Sequence, residues 1–152
     1  MIVYRVGKAE YSKDLSGNGA RLYGGRWNSV GTACLYSSAS RALAVLEYSV
    51  NLNILELSKY LVFTLIEIPD NEIFEVNIDE LPENWNSYPV NTETRLFGDN
   101  LLKSCEKSIL KIPSVIIPSE FNYLLNPNHI NKSEFKIIES ESFIFDNRIK
   151  SL

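Results

Sequence analysis

Five of the chain's seven glycines fall between positions 17 and 31, at Gly17, Gly19, Gly24, Gly25 and Gly31. Such a density makes a loop whose backbone takes conformations closed to other residues, or one that lets a ligand come close. The segment is neither of the common phosphate loops, since no GK[ST] follows and no GxGxxG opens a helix. From glycine content alone it is a set of turns. It sits between two β-rich stretches, residues 2–6 (IVYRV), which read as a first strand, and 33–37 (ACLYS), which fit a short second one.

Downstream, Ser37 or Ser38 is placed to cap a helix running to about Asn51. Its apolar positions Ala39, Ala42, Leu43, Leu46 and Val50 follow the spacing of a core-facing stripe. Glu47 falls at the margin of that stripe, where a carboxylate is costly unless paired or used. Residues Leu61–Ile68 and Ile73–Asn77 read as strands, joined by a turn at Pro69-Asp70-Asn71. Residues 79–91 form a loop with Pro82, Trp85 and Pro89. A second helix is expected from about Thr92 to Lys107, with Phe97, Leu101 and Cys105 on one face. Residues 109–117 read as a strand interrupted or set at an edge by Pro113. A polar, aromatic loop (118–129) follows, and short strands near 135–138 and 142–145 close the sheet. The expected fold is α+β, one domain over 1–152, a small mixed sheet of six or seven strands with two main helices.

Composition narrows the function. The 152 residues are 45% hydrophobic and 22% charged, enough for a sizeable core. A net charge of -4 with no basic stripe argues against direct nucleic-acid binding, while one or two arginines suffice for an anionic small molecule. The single histidine, His129, all but removes His-based triads and multi-histidine metal sites, so no metal is expected. Cys34 and Cys105 are far apart and read as reduced thiols. The amino terminus has no apolar stretch of signal-peptide length, and the run Leu61–Ile68 is short and broken by Thr64 and Glu67. The expectation is a cytoplasmic protein without a membrane segment.

Three segments in order carry a family resemblance: SGNGARLYGGRWNSVGTACLYSS (16–38), ALAVLEY (42–48) and IPSVIIPSEFNYLLNPNH (112–129). Together they resemble the RES domain family, over nearly the whole chain. That resemblance implies a fold similar to ADP-ribosyltransferase toxins and the toxin role in a bacterial toxin–antitoxin pair. It also implies an activity that depletes NAD by cleaving the nicotinamide–ribose bond with water or phosphate, or by transferring ADP-ribose to a protein. NAD is then the substrate, and no separate cofactor is expected. By the same resemblance Arg5, Arg26, Tyr36, Glu47 and Ser119 line the NAD pocket. The implied partner is an Xre-type DNA-binding antitoxin that blocks it, and exposed strand edges leave a homodimer open. The chain departs from the family pattern at Leu101, where a Trp is common, and at Asn51, where a His is common.

The chemistry is consistent with these residues. Cleavage passes through an oxocarbenium-like transition state with a neutral leaving nicotinamide, so a fixed negative charge helps and a general acid is not needed. Glu47 suits that role, with Arg26 and Tyr36 beside it as the other catalytic candidates. Arg5 and Arg26 are phosphate clamps, and the backbone amides of Gly24 and Gly25 are further donors. Tyr36 offers a flat face to the nicotinamide ring and Ser119 a hydroxyl. Taken singly, each has an ordinary structural explanation, and the ordered set carries the reading. His129, Asn122 and Asn126 are expected to shape loops. A protein that binds without catalysis is the alternative from another class.

Overall fold

The computed structural model describes residues 1–53 and 60–150. Seven strands form one sheet: β1 (Ile2–Lys8), β2 (Leu35–Ser38), β3 (Leu61–Glu67), β4 (Ile73–Glu75), β5 (Ile109–Pro113), β6 (Phe121–Leu125) and β7 (Lys136–Phe143). Their order is β4-β5-β6-β2-β1-β3-β7. Every pairing is antiparallel except β4 with β5, so the sheet is mixed. Three helices accompany it: α1 (Asn18–Tyr23), α2 (Arg41–Asn51) and α3 (Thr92–Ser104). This is the expected α+β class. Among the described residues no helix is long and apolar enough to cross a membrane.

The pairings divide the sheet. β1 runs against β3 along its whole length, from Ile2 opposite Glu67 to Lys8 opposite Leu61. Its register with β2 is a single pair, Tyr4 opposite Ser38. β2 continues against β6, from Leu35 opposite Leu125 to Ser38 opposite Asn122. Two half-sheets, β4-β5-β6-β2 and β1-β3-β7, are thus joined at one point and open beyond it.

Side chains alternate across the strands, so each half-sheet buries both faces. On one face lie Val3, Leu35, Ile66, Ile109 and Leu125, with Phe135 and Leu15 over them. On the other, α2 packs Ala44 and Val45 against Phe63, Leu65, Tyr4 and Val6. There too α3 and Trp27 cover Leu110, Ile112 and Leu124. Leu101 belongs to that second layer, so the departure at this position still fills core space.

Several boundaries differ from the sequence reading for local reasons. The cap of α2 is Ser40, whose side chain accepts from the Leu43 amide, because Ser37 and Ser38 belong to β2. The glycine-rich segment contains a helix, α1, entered from Gly17 at φ 68. A Cβ at Gly17 would meet the Cys34 backbone and Pro127, so the left-handed turn and the tight contact both require glycine. β5 ends at Pro113, and the final two expected strands are one, β7. β7 spans them because its partner β3 pairs with it from Leu61–Phe143 to Glu67–Lys136, with one register shift, at Leu65/Ile66.

Candidate active site

Glu47 projects from the second turn of α2 and its carboxylate is held from two sides. Oε1 accepts from the Ser114 hydroxyl at 2.7 Å and from the Asn122 side-chain amide at 2.6 Å. Ser114 directly follows β5, and Asn122 is the second residue of β6. Among the described residues none bonds Oε2. Asn51 donates to the Glu47 backbone carbonyl at 3.0 Å, closing the helix turn that presents the carboxylate.

Arg26 lies close enough that the Glu47 charge favours its cationic form, against burial and the nearby Arg95, which work the other way. Burial is the largest of these effects, and a guanidinium remains charged regardless. Its Nη1 donates to the carbonyls of Trp85 and Ser87 at 2.8 and 2.9 Å. The arginine therefore joins the glycine-rich segment to the 79–91 loop, with Nη2 and Nε not used in those bonds. Trp27, buried beside it, stacks on Trp85 with ring centroids 5.9 Å apart.

The residues around Arg26 are held by a compact network. Asn28 is fully buried, and its Nδ2 donates to the carbonyls of Ala20, Ser29 and Thr32. Its Oδ1 accepts from the Tyr36 hydroxyl at 2.7 Å, and that hydroxyl accepts from the Trp27 amide at 3.0 Å. Burial pushes the Tyr36 phenol well above its ordinary value, so the group stays neutral. The hydroxyl thus acts as a strut, while the ring packs against the core beneath α3. A Cβ on Gly25 would collide with the Tyr36 hydroxyl and the Asn28 side chain. Arg95 closes the network by donating to the Gly25 carbonyl at 3.2 Å.

Arg5 lies on the opposite face of β1, sharing it with Val3 and with Thr64 across the pair. Its Nη1 donates to the Asp14 carbonyl at 2.9 Å, and burial lowers its pKa more than the Asp14 charge raises it. In a closed sheet it could not share a cavity with Tyr36. Here the strands part beyond Tyr4–Ser38, and one cavity of about 170 Å³ is lined by Arg5, Asp14, Gly17, Ala20, Cys34 and Tyr36 among others. That is below the roughly 300–1,000 Å³ of a site that encloses a small molecule, so the cavity alone would enclose a larger ligand only in part.

The sequence-derived candidates thus fall into two groups. Glu47 and Arg26 come together electrostatically, while Arg5 and Tyr36 line the cavity in the split. Gly24 and Gly25 directly precede Arg26, and both amides are already bonded, Gly24 to the Ala20 carbonyl at 2.8 Å and Gly25 to the Asn28 carbonyl at 3.0 Å. Ser119 is exposed on the turn before β6. The serine on the Glu47 carboxylate is Ser114, which the sequence reading did not select, and Asn122 is a carboxylate partner rather than a loop former. The only available signal was that Ser114 ends a run of strand residues at Pro113, which directs the next side chain off the sheet end. Asn126 and His129 do shape their loop: Asn126 donates to the Leu102 carbonyl at 2.6 Å, and His129 Nδ1 accepts from the Asn131 amide at 3.1 Å. Among the described residues no cluster of His, Cys, Asp and Glu could hold a metal.

Comparison with known proteins places this geometry in a family. The RES domain model matches residues 2–146. A protein of a Sphingobium species named Prs ADP-ribosylating toxin is 40% identical over 141 residues, 90% of this chain and 86% of its own. Toxin Res of Yersinia enterocolitica is 37% identical over 153 residues, 99% of this chain and 100% of its own. A chain in the crystal structure of the Mycobacterium tuberculosis MbcT–MbcA toxin–antitoxin complex superposes with a TM-score of 0.74 at 16% identity, covering 94% of this chain and 84% of that one. At that identity the likeness is one of fold. The match over almost the full length, together with the relatives at 37–40% identity, shows that the chain belongs to the RES domain family of toxins.

Proposed function

We propose that this chain is the toxin of a toxin–antitoxin pair and that it cleaves the nicotinamide–ribose bond of NAD, with water or phosphate taking the ADP-ribose. The observation that supports it most directly is the Glu47 carboxylate, tied through Oε1 to Ser114 and Asn122, with Oε2 bonded by none of the described residues and its charge felt by Arg26. A fixed carboxylate beside the ribose stabilises the cation that develops as nicotinamide leaves, and it can orient the incoming oxygen. Arg5 and the Arg26 Nη2 and Nε, bonded by none of the described residues, suit the pyrophosphate, and the Tyr36 ring suits the nicotinamide face. Ser119, exposed on the turn before β6, is proposed as a further hydroxyl donor to the ligand.

The partner on this reading is an Xre-type DNA-binding antitoxin whose carboxyl end blocks the cleft. An antitoxin partner is in keeping with the fold shared with a toxin solved as a toxin–antitoxin complex. A second reading has its own support: the relative from Sphingobium is named an ADP-ribosylating toxin. The same pocket would then deliver ADP-ribose to a protein nucleophile.

Purified protein incubated with NAD, with and without phosphate, is expected to release nicotinamide. Glu47→Ala should cut release by roughly a hundredfold or more, the scale of losing a transition-state electrostatic contact. Dependence on phosphate identifies a phosphorylase. Release seen only with cell extract, with label appearing on a protein, identifies a transferase. Folded wild type that releases nothing in any arm would show that the chain does not cleave NAD.

A further inference from the structure

Behind the two donors that meet Glu47 stands a second layer that dictates which way each donor points. A carboxylate oxygen only accepts, so the Asn122 atom 2.6 Å from Glu47 Oε1 is the amide nitrogen. The other end of that amide is then an acceptor, and the Ser38 hydroxyl, buried at 3% exposure, sits 2.7 Å from it. Ser38 must donate its one hydrogen there. The same logic holds on the other side. Ser114 Oγ accepts from the amides of Ile116 and Ile117, each at 3.1 Å, which occupies both lone pairs and leaves its hydrogen for Glu47.

We infer that Ser38 and Asn122 are positioning residues for Glu47, a relay from β2 through β6 that locks the amide with its donor toward the carboxylate and leaves Oε2 as the oxygen offered to substrate. The inference rests on the proposed cleavage for its kinetic consequence. The location of Ser38 explains why the relay is rigid. It forms the single pair with Tyr4 that joins the two half-sheets, and it faces Asn122 across the β2–β6 ladder. The joint between the half-sheets and one of the two donors to the carboxylate are therefore tied to the same residue. Neither Ser38 nor Asn122 needs to touch the reacting atoms, so their loss should act on turnover more than on substrate affinity.

Asn122→Asp keeps shape and size but turns the donor into an acceptor facing Glu47. It should lower kcat for nicotinamide release by about ten- to a hundredfold, the weight of a hydrogen bond to a charged group, with KM changed less than about threefold. Ser38→Ala should lower kcat by a smaller factor, and should have no further effect when added to Asn122→Ala, because the relay is already broken. Denaturant midpoints check that each variant folds. Near-wild-type kcat in folded Asn122→Asp, or equal and additive losses from Ser38→Ala in both backgrounds, would overturn the relay. Inert wild type defeats the proposed cleavage instead, and the Asn122 side-chain amide signals in isotope-labelled protein then decide the inference on their own. Those signals should move in both Glu47→Gln and Ser38→Ala, and signals unmoved in either variant refute the placement.

Discussion

Asn28 illustrates how a single amide can organise a glycine-rich segment. Its nitrogen donates to three carbonyls, its oxygen accepts from Tyr36, and no part of it meets solvent. Asn28→Ala would leave those groups buried and unbonded, so a loss of about 2–3 kcal/mol is expected from urea denaturation, together with release of the Tyr36 ring. Asp99 is the neighbouring case. Its carboxylate accepts from the Ser29 amide at 2.9 Å. Burial works to raise its pKa, but the bonds from Ser29 and Thr32 outweigh it, and Asp99 titrates below its usual 3.8. A depressed carboxylate stabilises the fold above the unfolded-state value and ceases to do so as pH falls through the lowered native value. The stability gap between wild type and Asp99→Asn should therefore be full at neutral pH and shrink below roughly pH 4. A gap independent of pH would show that the Asp99 charge does not hold Ser29.

At the scale of elements, the site is assembled by contacts between segments distant in sequence. Gly98 sits in α3 against the backbone of Trp27, where even a methyl group has no room. Glycine is otherwise a poor helix residue, so this position favours close approach over propensity. Gly98→Ala gains helix propensity in isolation, but in the protein it should cost about 1–3 kcal/mol and displace the segment carrying Arg26. Tryptophan fluorescence, reporting the stacked Trp27 and Trp85, would register the displacement; an unchanged spectrum with raised stability would contradict it. The C-terminal end of α2 is held by Lys150. Lys150 Nζ donates to the carbonyls of Ser49 and Leu52 at 2.9 and 2.6 Å, which complements the negative end of the helix that bears Glu47.

For the molecule as a whole, the decisive feature is the parting of β1 from β2. A sheet that stayed paired would put Arg5 and Tyr36 on opposite sides, and the shared cavity would not exist. If NAD occupies the split, it should bind the folded protein only and raise its melting temperature with concentration, by the equivalent of about 2.7 kcal/mol at a hundred times Kd. Glu47→Ala is the right material, since its expected loss of turnover would spare the ligand during the measurement. Arg5→Ala added to it should reduce the shift at a given NAD concentration. An undiminished shift would mean that Arg5 serves only to hold the 12–16 segment through Asp14.

The sequence by itself determined the class of fold, the family and the order of its motifs, because these depend on periodicity and on long patterns that survive without coordinates. The glycine-rich segment, the helix bearing Glu47 and the loop ending at His129 were all legible in that way. Arg26, Tyr36 and Glu47 could be named, but what each touches could not. The tertiary structure alone decided that Ser114 meets the carboxylate, because two Pro-Ser pairs lie five residues apart and only the end of β5 distinguishes them. It likewise decided that the Tyr36 hydroxyl is a strut, that Ser38 belongs to a strand rather than a helix cap, and that Asn122 faces Glu47. Each of these is a pairing across 8 to 84 positions of chain. Local propensity does not encode such pairings; strand register and the single joint between the half-sheets do.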